Sequence, residues 1–134
     1  MPDLSFTGIH HLELTVRDLE RSVAWYSSVL GLQEVTRADV EDRTVVLFSV
    51  GPLLLGLVGH PTPPTEPFDE IRSGMDHVGF RVATPEAVTA WGERLDEHGV
   101  AHSGVKDGAM PDSLVVIFRD PDNIQLECYY APRP

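Results

Sequence analysis

The sequence predicts an α+β fold built from two βαβββ modules. Three observations carry this expectation. Residues 8–59 and 75–131 each pass through an alternating strand, an amphipathic helix and further strand-like segments. A proline-rich linker, 60–74, separates the two runs. The runs also match residue by residue. At an offset of 66, His11 falls on His77, Val16 on Val82, Glu20 on Glu86 and Trp25 on Trp91; at an offset of 70, Phe48 falls on Phe118.

Each element has its own signal. In residues 9–16, Leu12, Leu14 and Val16 point one way and His11, Glu13 and Thr15 the other, as in a half-buried strand. Asp18 suits a helix N-cap. Leu19, Val23, Tyr26 and Leu30 recur at helical spacing, and Gly31 suits the stop. Strands are expected near 33–40 and over 44–50. Gly51-Pro52 marks a turn, and 53–58 reads as the returning strand. Four prolines in 60–67 bar that stretch from a sheet or helix interior.

The order then repeats. In 77–83, Val78, Phe80 and Val82 form an apolar face. Thr84-Pro85 reads as an N-cap followed by proline at the first helical position. Val88, Trp91 and Leu95 make the apolar stripe of the helix, and Gly99 ends it. Strands are expected near 100–106, over 114–118 and over 124–130, with 119–123 a turn by composition.

Composition narrows the function classes. The 134 residues suit one domain, or two small halves sharing a core. A net charge of −11 without a Lys/Arg cluster disfavours nucleic acid and anionic membranes as partners. No apolar run approaches the ~20 residues that span a bilayer, and the N-terminus lacks a signal-peptide pattern. The single cysteine, Cys128, cannot form an internal disulfide. A cytoplasmic location is the expectation.

The segments "HHLELTVRDLERSVAWYSSVLGL", "DHVGFRV" and "FRDPDNIQLECYY" resemble the vicinal oxygen chelate superfamily. Its members include glyoxalase I, methylmalonyl-CoA epimerase, extradiol ring-cleaving dioxygenases, fosfomycin-modifying transferases and bleomycin-resistance proteins. The resemblance covers nearly the whole chain. It implies that two modules, from one chain or from two, form a curled mixed sheet around a cleft, with helices outside, and that the protein is a homodimer acting on a small molecule. It also implies that His11, His77 and Glu127 occupy three metal-ligand positions. Strand alternation agrees, setting each opposite its module's apolar face. Two imidazoles and one carboxylate leave coordination positions open and suit Fe, Mn, Zn, Ni or Co. His10, offset by one residue, is expected to face away as a strand-start or edge residue, not a ligand.

A fourth ligand used by glyoxalase I and the epimerase should fall on Gly56 or Leu57, and neither binds metal. That departure favours three-ligand activities such as dioxygenases and fosfomycin-type transferases over standard isomerases. Glu13 shares the face of His11 and is the candidate general base, with a ligand-orienting or merely solvated role as alternatives. Arg81 shares the face of His77 and is a candidate for an anionic substrate, or for a rim salt bridge. Tyr129 is a candidate hydrogen-bond donor to substrate, or cleft-wall packing. Trp25 and Trp91 read as core, and His60, His98 and His102 as exposed. The expected function is a metal-dependent dioxygenase, lyase/isomerase or transferase. Its rival is a metal-free drug-binding protein of the bleomycin-resistance type.

Overall fold

A computed structural model describes residues 1–133. The chain divides into two compact units, Met1–Thr65 and Glu66–Pro134. Among the described residues no helix is long and apolar enough to cross a membrane.

The first unit runs β1 (His11–Thr15), α1 (Leu19–Ser28), β2 (Gln33–Val40), β3 (Arg43–Val50) and β4 (Leu53–Gly59). Its sheet has the order β1-β4-β3-β2, with β1 parallel to β4 and the other pairs antiparallel. Asp18 caps α1 by accepting the Arg21 N–H at 3.2 Å. The apolar face of β1 buries Leu14 and Val16, while His11, Glu13 and Thr15 stay exposed on the other face. Tyr26 of α1 is fully buried and stacks on Phe48 of β3 at 6.4 Å. The edge strand β2 is exposed throughout. There Arg37 pairs with Glu34 and Glu20.

The second unit repeats the order as β5 (Val78–Arg81), α2 (Pro85–Glu97), β6 (Lys106–Asp107), β7 (Leu114–Arg119) and β8 (Gln125–Tyr130). Its sheet order is β5-β8-β7-β6, again with the first strand parallel to the last. Thr84 caps α2 and Pro85 takes its first turn. Val88 and Leu95 of α2, which packs on β7 and β8, are buried with Val116, Phe118, Leu126 and Cys128 in the core. Burial raises the Cys128 thiol to about 12.

Two elements are shorter than the sequence suggests. The strand expected near 100–106 contracts to Lys106–Asp107 and one bridge between His102 and Phe118. Ser103 is the reason: its hydroxyl, not a backbone carbonyl, accepts the Ile117 N–H at 2.9 Å. His77 precedes β5 rather than lying within it.

The turn at 119–123 owes its shape to Asp120. This buried carboxylate accepts the N–H groups of Asp122 and Ile124 at 2.8 and 2.9 Å. Asn123 then adopts φ +68, which asparagine tolerates better than most residues.

Candidate functional site

In the second unit, β5 and β8 pair in parallel with Gly79 opposite Glu127 and Arg81 opposite Tyr129. Alternation therefore sends His77, Gly79, Arg81, Glu127 and Tyr129 to one face, where they line an open cavity of about 330 Å³. His77 Nε2 stands 3.6 Å from Glu127 Oε1. The His77 Nδ1 meets Asp76 Oδ1 at 2.6 Å, which leaves Nε2 as the ring edge facing Glu127. The Glu127 side chain is only 12% exposed, and Gln125 Nε2 donates to its Oε1 at 3.2 Å. A neutral imidazole nitrogen beside a carboxylate oxygen is a donor set that fits a borderline divalent ion.

Arg81 lies exposed in this wall and makes no ion pair among the described residues. Tyr129 is committed elsewhere. Its hydroxyl donates to Ser113 Oγ at 2.9 Å and accepts the Met110 N–H at 3.1 Å. The phenol thus holds the turn after β6, and its ring forms cavity wall. The single phenolic O–H is engaged by Ser113, so the cleft-wall alternative is the one this geometry favours.

The first unit carries a similar pair on β1. His11 Nε2 lies 3.9 Å from Glu13 Oε1. His10 does not face away as alternation suggested. It precedes β1, and its Nδ1 turns to meet His11 Nδ1 at 2.9 Å. With Nδ1 meeting His10, Nε2 is the edge of His11 nearest Glu13. At the offset of 66, His10 falls on Asp76. Each repeated histidine is therefore held at Nδ1 by the residue just before it. That shared position was the signal available for both orienting residues.

Register also settles the Gly56 or Leu57 question. Gly56 pairs with Glu13, as Glu127 pairs with Gly79. Gly56 is thus the counterpart of Glu127, and Gly79 that of Glu13. The glycine and the carboxylate have exchanged strands between the units. A methyl group at Gly56 would lie 2.8 Å from Glu13 Cγ, so the glycine makes room for the Glu13 side chain above it. A carboxylate thus lies against Gly56, carried by β1 instead of β4.

Among the described residues, no group of three or more His, Cys, Asp or Glu side chains is gathered ready for a metal. Each unit instead presents one histidine–carboxylate pair, His11–Glu13 and His77–Glu127. The remaining expectations divide. His60 touches Thr15 Oγ1 at 3.3 Å. His102 is partly buried, not exposed: Asp96 holds Nε2 at 2.8 Å and the Gly104 N–H donates to Nδ1 at 3.0 Å. Trp25 and Trp91 are half-buried, and Arg94 lies over the Trp91 ring at 5.7 Å.

Comparison with known proteins finds relatives over most of the chain. The catechol-2,3-dioxygenase of Bacillus subtilis is 33% identical over 129 residues, covering 96% of this chain. The chain spans only 42% of that enzyme's length. The metallothiol transferase FosB of Staphylococcus haemolyticus is 25% identical over 122 residues, covering 91% of this chain and 82% of FosB. A crystal structure of a glyoxylase/bleomycin resistance protein/dioxygenase domain from Frankia sp. EAN1pec superimposes with a TM-score of 0.85 at 34% identity. That match covers 95% of this chain and 99% of the domain. The sequence profile of the Glyoxalase/Bleomycin resistance protein/Dioxygenase superfamily matches residues 8–128. By that match, and by the repeated βαβββ order beneath it, the chain belongs to the glyoxalase/bleomycin resistance protein/dioxygenase superfamily.

Proposed function

We propose that the protein is a small metal-dependent enzyme of this superfamily, with a divalent ion (Fe, Mn, Zn, Ni or Co) held by His11, His77 and Glu127. The observation that carries this proposal is the His77–Glu127 pair, 3.6 Å apart in the wall of a cavity beside the unpaired Arg81. The bound ion supplies Lewis acidity toward a small substrate with two neighbouring oxygens. Around it the chain's own groups divide the work. Asp76 and His10 hold the Nδ1 edges of the two histidines and so aim their Nε2 atoms. Arg81 binds an anionic part of the substrate through its fork of N–H donors. The Tyr129 ring closes one wall.

Glu13 acts as the general base, holding the proton it removes on its carboxylate. In the four-ligand members that this chain resembles, the carboxylate at the Gly56 position is linked to proton transfer. Glu13 brings a carboxylate to that position from the neighbouring strand. Proton-transfer chemistry therefore joins dioxygenase and thiol-transferase chemistry among the activities to assay. The working unit is a homodimer, which sedimentation equilibrium reads directly.

Metal titration tests the proposal. The chain should take up about one ion when titrated with Mn(II), Fe(II), Ni(II) and Zn(II) in turn, with saturable mass-action binding. His77→Ala should abolish uptake while circular dichroism stays unchanged. A folded chain that takes up none of the four contradicts the proposal and favours metal-free ligand binding of the bleomycin-resistance kind.

A further inference from the structure

We propose that the linker segment positions the Glu127 carboxylate through a relay of side chains, Glu70–Arg119–Gln125–Glu127. The inference rests on the metal-site proposal for what the carboxylate does, but its geometry lies wholly within the second unit. Arg119 ends β7 opposite Gln125, which begins β8. Its guanidinium is gripped by Glu70, with Nη2 to Oε1 at 2.7 Å and Nη1 to Oε2 at 3.1 Å. Nη1 also donates to the Asn123 carbonyl at 3.0 Å. The fourth contact of the guanidinium decides the site: Nη2 donates to Gln125 Oε1 at 3.3 Å.

A guanidinium only donates, so the Gln125 atom facing it is the carboxamide oxygen. The amide cannot flip without setting two donors against each other. Its NH₂ group therefore faces Glu127, donating to Oε1 at 3.2 Å. That contact restrains one carboxylate oxygen while Oε2 stays on the side of Gly79, whose missing Cβ would lie 3.9 Å away. The strand pair alone does not supply this bias, because a carboxamide with no neighbour presents either end.

The linker is anchored where the relay begins. The Phe68 N–H donates to the Asp122 carbonyl at 2.8 Å, and Asn123 Nδ2 donates to the Phe68 carbonyl at 3.1 Å. Glu70 is thus delivered to Arg119 by a segment bonded to the β7–β8 turn on both sides of Phe68. The 66–72 stretch is part of the site's support and not a passive connection between modules. Partners that orient metal ligands are worth about 10–100-fold in affinity.

The experiment uses the full chain and Mn(II) as probe. Gln125→Met keeps the bulk and removes the amide, and should weaken Mn(II) binding about tenfold. Glu70→Gln should weaken it in the same direction, and its effect should vanish in the Gln125→Met background, because both act through one amide. A role confined to hairpin stability moves the unfolding midpoint and leaves the Mn(II) dissociation constant within twofold of wild type, which overturns the relay. So does an additive double mutant. A second readout needs no metal: the Gln125 side-chain amide protons should exchange slowly in the metal-free chain and quickly in Glu70→Gln. Fast exchange in the wild type overturns the relay even when Mn(II) binds. Slow exchange in a chain that binds no Mn(II) overturns the metal site, and with it the relay's role in positioning a ligand.

Discussion

Gly56→Ala tests the strand exchange between glycine and carboxylate. The added methyl would sit 2.8 Å from Glu13 Cγ, 3.1 Å from Leu47 Cδ2 and 3.4 Å from Val45 Cγ1. Real carbon contacts of 2.8 Å do not persist, so Glu13 must turn out or the strands must part. Overpacking a filled site costs typically about 1–3 kcal/mol. Glu13 is one-third exposed and has solvent to turn into, which favours the lower half of that range. With Glu13→Ala already in place, only the two milder contacts remain. Alanine in a strand interior is worth about 0.5–1 kcal/mol over glycine, so Gly56→Ala should then be near neutral. Urea unfolding of the four proteins, compared at constant m, gives the coupling between the sites. We expect it to be about 1–2 kcal/mol from the two preceding costs. An equal penalty for Gly56→Ala with and without Glu13 refutes the close approach.

The other predictions concern chemistry and pH. Glu13→Gln should lower kcat by about 10²-fold or more, the usual contribution of a general base, with metal content unchanged; an unchanged kcat removes Glu13 from proton transfer. Cys128 should resist iodoacetamide at pH 8 in the native chain and react after unfolding, because burial holds the thiol near 12. Its raised native pKa also has a stability sign. The unfolded thiol ionises near 9.0 while the native one keeps its proton, so stability should fall as pH rises from about 9 toward 12. Glu70 has the opposite sense. Hydrogen bonds from Arg119 lower its carboxyl from 4.5 to about 2, so its contribution is present above pH 4.5 and lost as pH falls toward 2. The difference in urea midpoint between wild type and Glu70→Gln should shrink across that window, and a constant difference contradicts the pairing.

The repeat was legible because strand alternation, helix caps and the 66-residue offset all reported the same order. His77, Arg81, Glu127 and Tyr129 share the face that alternation assigned them. Other features depended on geometry that periodicity does not encode. His10 departs from the alternation rule because its ring turns onto His11, a contact that periodicity does not encode. The fourth-ligand position stayed ambiguous between Gly56 and Leu57 because turn length, not pattern, sets the alignment; only the pairing with Glu13 resolves it. Composition marked 119–123 as a turn, yet nothing in it says that Asp120 accepts two N–H groups there. The Glu70–Arg119 pair bridges residues 49 apart, through a linker whose prolines announced only an absence of regular structure.

The central proposal is that His11, His77 and Glu127 hold one metal ion. Anomalous diffraction from crystals soaked in Mn(II) tests it most directly. The predicted result is a single strong peak bonded to Nε2 of His11, Nε2 of His77 and the Glu127 carboxylate, lost in His77→Ala. A peak on other residues, or no peak at a concentration that saturates binding in solution, contradicts the assignment.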